Sequence, residues 1–383
     1  MSERALKVVV AGGGIGGLTA AAALHREGCE VTVIEKAPEL KPVGAGLAIQ
    51  INALRALAHY GLADLMRQVG AEADESRLYD WRGRVLTRTS MKSFAERHGQ
   101  PLIAAHRARV HAALESQVPK GALQLGRSVT GYEEKDASVS ISLDDGTRVD
   151  ADLLVGSDGL HSKVRTQLLG ESPTRYSGYT SWRGVCSLDG LDGVGGVLSE
   201  TWGPGARFGL VPIGFGELYW FATANAPAGG KDGAQPAELL KRFEGWHDPI
   251  PRVLAATPSE RILRTDIADR APVEQWTSRR VALLGDAAHP MTPNMGQGAC
   301  QAIEDAVVLA RCIGAAKHDV PAALASYQAR RVPRANGVVT QSRRIGAVGQ
   351  WESGLMRGVR DAAMRALGGT LQGGLDALYG FSP

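Results

Sequence analysis

Cysteine is scarce in this sequence: four residues in 383, Cys29, Cys186, Cys300 and Cys312, with no CxxC pair and no histidine at zinc-ligand spacing. That pattern excludes a disulfide scaffold and a structural zinc site, and it points to a reducing, cytoplasmic setting. The start, Met1 to Lys7, is mostly polar and leads straight into a short apolar run, so neither a signal peptide nor a spanning helix is expected there. An excess of one charge is missing as well. The 43 basic and 40 acidic side chains are dispersed, giving a formal +3 without a dense basic tract, so no nucleic-acid partner and no membrane contact are expected. There is no internal repeat and no low-complexity tract. What remains is an ordinary globular composition, 44% apolar and 22% charged, in a chain longer than one average domain.

Local patterning predicts two kinds of layer. Ala5 to Ala11 is an apolar run of strand length broken only by Lys7; glycines follow, then Leu18 to Arg26 with helical spacing, then a β-rich run, Glu30 to Ile34. Strand, glycine turn, helix and strand make a βαβ unit, which implies a parallel sheet and a right-handed crossover. From Ser76 to Thr89 and from Thr174 to Ala224, short alternating runs rich in Trp, Tyr, Val and Thr, broken by Gly and Pro, predict antiparallel sheet. Asp144-Asp145-Gly146 predicts a hairpin between Val139–Leu143 and Thr147–Val149. Two further buried strands are expected at Ala151 to Val155 and Val281 to Leu284, the second leading through a glycine-rich turn into a helix from Ala299 to Ile313. The stretch Ala323 to Leu367 predicts one or two helices carrying Arg331, Arg334, Arg343, Arg344, Arg357, Arg360 and Arg365. Packing against the body is the favoured reading of those helices, with a peripheral membrane or partner surface as the alternative.

Three motifs carry the chemistry. Gly12-Gly13-Gly14-Ile15-Gly16-Gly17 is a GxGxxG between a strand and a helix. Gly12 allows the tight turn, Gly14 lets backbone approach a pyrophosphate, Gly17 permits close helix packing, and the helix N-terminus supplies N–H donors. Glu35, at the end of the second strand, can accept hydrogen bonds from both hydroxyls of an adenosine ribose. The second motif, Asp158-Gly159 running to Ser162 and Arg165, and the third, Gly285-Asp286 running through Pro293 to Gly296-Gln297-Gly298, each follow an apolar strand. Taken singly, Asp158 reads equally as a helix cap and Asp286 as a turn residue.

Taken together and in this order, the three motifs make the sequence resemble the single-component FAD-dependent aromatic hydroxylases from Leu6 to about Arg334. The resemblance implies a mixed α/β fold: a Rossmann-like FAD-binding parallel sheet interrupted by an antiparallel substrate layer, with C-terminal helices. The implied boundaries are 1–75, 100–173 and 280–330 for FAD, 76–99 and 174–279 for substrate, and 331–383 for the helical end. By matching positions, Ile15, Gly16, Glu35 and Lys36 would hold the ADP half of a non-covalent FAD, with Ala48, Arg107, Val129 and Asp158 also on the cofactor. Asp286 would bind the ribitol, and Pro293, Gly296, Gln297, Gly298, Ala299 and Cys300 would line the isoalloxazine. The implied reaction uses NAD(P)H as a transient co-substrate and O2, through a C4a-hydroperoxyflavin, to hydroxylate or epoxidise an electron-rich aromatic or polycyclic molecule. A monomer or homodimer is expected.

For the substrate, the polar candidates are Trp182, Arg183, Arg207 and Tyr219. The stretch Gly203 to Ile213 with Gly216 to Tyr219 is similar to urate-hydroxylase-like and zeaxanthin-epoxidase-like members of the family, which implies catalytic roles for Arg207 and Tyr219. Arg183 departs from the urate pattern, which has Asn there. A urate-type heterocycle hydroxylase and a flavin-binding redox sensor are the alternative readings.

Overall fold

The computed structural model describes residues 4–40, 45–230, 235–316, 319–368 and 371–383. Its nucleotide layer is a five-stranded, all-parallel sheet in the order Val281–Leu283, Leu153–Gly156, Lys7–Ala11, Glu30–Glu35, Leu123–Leu125. Near-continuous Val, Ile and Leu make these strands, because helices and a hairpin cover both faces and leave no polar side. The three strands that precede the three glycine motifs are direct neighbours, in register Leu283–Gly156–Ala11. Their turns therefore emerge side by side at the carboxyl edge, where open parallel sheets bind ligands.

The alanines of the helix Ile15–Arg26 let it lie close against both the sheet and the helix Gly298–Ala315. The predicted hairpin forms as Val139–Leu143 with Arg148–Ala151, and Val129–Glu134 adds a third antiparallel strand. A small sheet, Gly46–Ile49, Ile103–His106 and Gly70–Glu72, was not legible in the sequence; it bridges the two large layers.

The second large layer is a seven-stranded sheet in the order Leu263–Asp269, Arg175–Ser187, Glu217–Asn225, Ala206–Pro212, Val197–Trp202, Glu75–Asp80, Val85–Ser90. All its pairings are antiparallel except one: Val197–Trp202 runs parallel to Glu75–Asp80. The layer is antiparallel as expected apart from that pair, whose strands come from distant parts of the chain and carry no hairpin that would force opposite directions. Strand alternation divides this sheet into two faces. Trp182, Phe208, Leu210 and Trp220 point to one face and pack under the helices Pro236–Arg242 and Ile250–Ala255. Arg183, Val185, Arg207, Val211, Tyr219 and Phe221, which pair across neighbouring strands, share the other face.

The stretch Ala323 to Leu367 forms two helices, Val320–Gly349 and Gly354–Leu367, as expected, and a further helix, Leu371–Tyr379, follows it. Packing accounts for the first. Arg331 is fully buried between Glu304 and Asp305 of the preceding helix, and Arg334 pairs with Glu304 at 2.7 Å. None of the described helices is long and apolar enough to cross a membrane.

Candidate functional site

The three turns meet. At φ +105°, Gly12 is in the left-handed region, and a Cβ there would collide with the Ser157 carbonyl of the second motif. A Cβ on Gly16 would lie 2.8 Å from Leu284, at the end of the strand leading into the third motif, and one on Gly17 would strike the Gly12 carbonyl. Arg165, buried, donates to the carbonyls of Ala287 and Ala288 at 2.9 and 2.8 Å, tying the second motif to the third. Gly14 is the exception: nothing lies within 4 Å of where its Cβ would be. The helix behind it has no side-chain cap, so its first N–H groups face that open space.

Glu35 accepts from the Gly13 N–H at 2.7 Å and the Ala37 N–H at 2.9 Å, which fixes its carboxylate beside the glycine turn. Lys36 is exposed. The N–H groups of Gly126 and Arg127 donate to the carbonyls of Ala37 and Glu35, so the loop that leads into Val129 runs alongside, while the Val129 side chain is in the core. His111, which the sequence did not single out, lies with Nε2 2.6 Å from the Gly13 carbonyl.

Asp158 takes the helix-cap place that the sequence offered beside its cofactor role. Its carboxylate is hydrogen-bonded by the Ser162 hydroxyl, the Lys163 N–H at 2.7 Å and the Val164 N–H at 3.3 Å, so it is taken up in capping the helix Lys163–Leu169.

Asp286 is the opposite case. Its side chain is solvent-accessible and has no hydrogen-bond partner among the described residues, yet protein surrounds it. That crowding pushes its carboxyl above the usual range, with the charges of His289 and Arg107 acting against the rise. The turn that presents it is anchored from behind: Asp305 accepts from the Gly285 N–H at 2.9 Å and contacts His289 Nε2 at 2.5 Å. Burial raises the Asp305 pKa, but His289, Arg331 and these hydrogen bonds outweigh it and hold the carboxyl at about 2.

The segment after the turn is placed against the strand Gly46–Ile49. Cys300 donates its S–H to the Ala48 carbonyl at 3.4 Å, and Gln50 donates to the Met295 carbonyl at 2.7 Å and accepts from Gln297. Burial pushes the Cys300 thiol up to about 12, so it remains a packed thiol. The helix that begins at Gly298 has no side-chain cap, so its first N–H groups take no side-chain partner; Ala299 follows in its first turn, and Pro293 and Gly296 are exposed beside it. Gln50, Asn52 and Asn294 belong to this framework and were missed, because polar residues inside otherwise ordinary segments give no periodic signal.

On the seven-stranded sheet the four candidates separate. Trp182 is on the wrong face, 1% exposed in the core under the helix Pro236–Arg242, so it leaves the substrate set; strand alternation sends it opposite to Arg183. Arg207 is on the open face but 2% exposed and already engaged, donating to Gln350 at 3.1 Å, to Glu200 at 3.3 Å and to Asn294. Tyr219 packs against Gly46 and Ala104, and its hydroxyl has no hydrogen-bond partner among the described residues. Burial raises its pKa, with the Arg183 charge acting against the rise, which brings these two groups within electrostatic reach of each other. Arg183 likewise has no hydrogen-bond or ion-pair partner among the described residues, and it is only half-buried.

An uncovered glycine at a helix start, a second uncapped helix N-terminus and an unengaged carboxylate at the end of a parallel strand fit the pyrophosphate, isoalloxazine and ribitol of FAD. The class so defined is a flavin-dependent oxygenase. The comparisons agree: the FAD binding domain family matches residues 5–342, nearly the whole chain. The chain is 50% identical over 364 residues to the aurachin C monooxygenase/isomerase of Stigmatella aurantiaca, covering 94% of each. It is 35% identical over 343 residues to the FAD-dependent urate hydroxylase of Klebsiella pneumoniae, covering 88% of this chain and 89% of the relative. The crystal structure of Klebsiella pneumoniae HpxO complexed with FAD and uric acid superposes with a TM-score of 0.89 at 32% identity, over 94% of this chain and 93% of that one. The chain belongs to the group A FAD-dependent aromatic hydroxylases. It is an FAD-binding monooxygenase.

Proposed function

We propose that this monooxygenase acts on an electron-rich aromatic or polycyclic compound bearing an ionisable oxygen, held by Arg183 and Tyr219. One oxygen atom of O2 enters the substrate, the other leaves as water, and NAD(P)H supplies the two electrons. FAD, when bound, carries those electrons to O2. The observation behind the substrate class is a pair of polar groups on the open sheet face, the Arg183 guanidinium and the Tyr219 hydroxyl, that have no hydrogen-bond partner among the described residues.

Each residue has a task. Burial keeps the Tyr219 hydroxyl protonated, so it donates to the substrate oxygen. The guanidinium of Arg183 favours the ionised form of that oxygen, which raises the electron density of the ring. Val185, Val211, Leu198 and Phe221 line the same face and would keep water from a flavin bound there. The first N–H groups of the helix Gly298–Ala315 stabilise negative charge on the reduced cofactor. Asp286 holds the ribitol and Glu35 the adenosine ribose. Arg207 is a positioning residue that fixes Asn294 and, through it, the turn carrying Gly296. We place the enzyme in the cytoplasm.

Similarity at half of all positions to an aurachin C monooxygenase/isomerase favours a substrate of that kind over urate. Arg183 supports the same choice. The test is NAD(P)H consumption by the FAD-loaded protein with aurachin C, aromatic acids, phenols and urate, under 18O2. Substrate-stimulated consumption with one labelled oxygen in the product is expected. Oxidation indifferent to every compound would favour a redox sensor, and turnover of urate alone would replace the Arg183 reading.

A further inference from the structure

The helix Gly354–Leu367 is amphipathic the wrong way round for a helix resting on a protein. Leu355 is 78% exposed, Val359 60% and Met356 42%. At about 100° per residue, these three fall with Ala362, Ala363 and Ala366 in one arc of about 120°. All six are exposed. The arc turned toward the body holds Arg357, Arg360, Asp361 and Met364 instead. Arg360 is 4% exposed, bonded to Asp361 at 2.9 Å and lying over the Trp202 ring at 5.1 Å. The Arg360 guanidinium over the Trp202 ring and the Arg365–Asp80 ion pair at 3.7 Å fasten the helix to the sheet and leave its apolar stripe outward, an arrangement that costs solvation unless something covers it.

We propose that this stripe seats in the headgroup boundary of an anionic lipid bilayer. Two observations select that occupant over a second copy of the chain. The helix has 14 residues, so two such stripes facing each other bury only about 400 Å², far below the roughly 1,200 Å² of a stable interface. Insertion of a leucine, a methionine and a valine into lipid needs no matching surface. The flank is also basic. Arg84 and Arg365, with side chains 63% and 43% exposed, share the single buried carboxylate of Asp80, leaving one excess positive charge beside the stripe.

The position gives the contact a purpose. Trp202, under the helix, is the cross-strand neighbour of Arg207. The next helix, Leu371–Tyr379, sends Leu375 into a cluster with Leu198, Met291 and Met295, beside the turn at Gly296. A bilayer at the stripe therefore borders the wall of the substrate face, and an apolar substrate can pass to the enzyme without crossing water.

Flotation of the full-length, FAD-loaded protein with phosphatidylcholine vesicles, with and without one third phosphatidylglycerol, tests this. The protein should float with the anionic vesicles, less with the neutral ones, and at least about tenfold less after Leu355→Glu/Val359→Glu. Because both side chains point to solvent, the double variant should retain FAD and its circular dichroism. Three results would overturn the proposal: wild type that floats with neither vesicle, a double variant that floats like wild type, or a solution dimer that the double variant converts to monomer.

Discussion

The buried charge cluster behind the Asp286 turn gives a sharp test of how the site is held. Arg331 is wholly buried and contacts Glu304, Asp305 at 2.7 Å and the Gln301 amide oxygen at 2.7 Å. Arg331→Met keeps most of the side-chain volume but leaves two carboxylates short of a cation. Two charges about 4 Å apart at an effective dielectric near 20 interact by about 4 kcal/mol, and breaking a buried pair from one side costs about 3–5 kcal/mol. Arg334 and His289 still face Glu304 and Asp305, which keeps the loss within that range. For 383 residues, the unfolding entropy scales to about 0.8 kcal/mol/K, so Tm should fall by about 4–6 °C. Trp276 reports it: its ring lies 5.1 Å from His289, and its fluorescence follows melting of this cluster. Adding Asp305→Asn should give a combined loss smaller than the sum of the two single losses by at least about 1 kcal/mol, since the uncompensated charge is then gone. A fall below about 1 °C for Arg331→Met, or strict additivity in the pair, would refute the reasoning.

Asp286→Ala should purify largely colourless at unchanged far-UV circular dichroism; bound FAD at the wild-type level would remove Asp286 from the ribitol site. Arg183→Gln should keep its FAD and its substrate-free NAD(P)H oxidation while substrate KM rises about 10-fold or more, the scale of a lost charged hydrogen bond; an unchanged KM would leave Arg183 outside the substrate site. For Asp305, the folded pKa of about 2 lies below its unfolded value of 3.8. Its contribution to stability is thus full above about pH 4 and is lost as pH falls toward 2, so Asp305→Asn should flatten the acid limb of a Tm-versus-pH curve. All four cysteines are buried, with thiols pushed upward by burial. They should resist alkylation at pH 8 until the chain unfolds; rapid labelling of Cys300 in the native protein would contradict its placement.

Sequence alone determined the nucleotide half of this protein, because its signals are local. The turn at Gly12, the open approach at Gly14 and the carboxylate at Glu35 each follow from residue type and spacing within one βαβ unit, and the βαβ rule makes the sheet parallel. The substrate face was decided by tertiary structure. Trp182 and Arg183 are adjacent in sequence and equally suggestive there, but strand pairing sends one into the core and the other to the open face. Asp158 read equally as a helix cap, and folding supplied the N–H groups it caps; Arg207 read as a substrate residue, and Gln350, more than a hundred residues away, takes up its Nε–H. The inverted helix near the end of the chain follows the same logic. Periodicity finds an amphipathic stripe, but only the packed structure tells which side of the stripe is already covered.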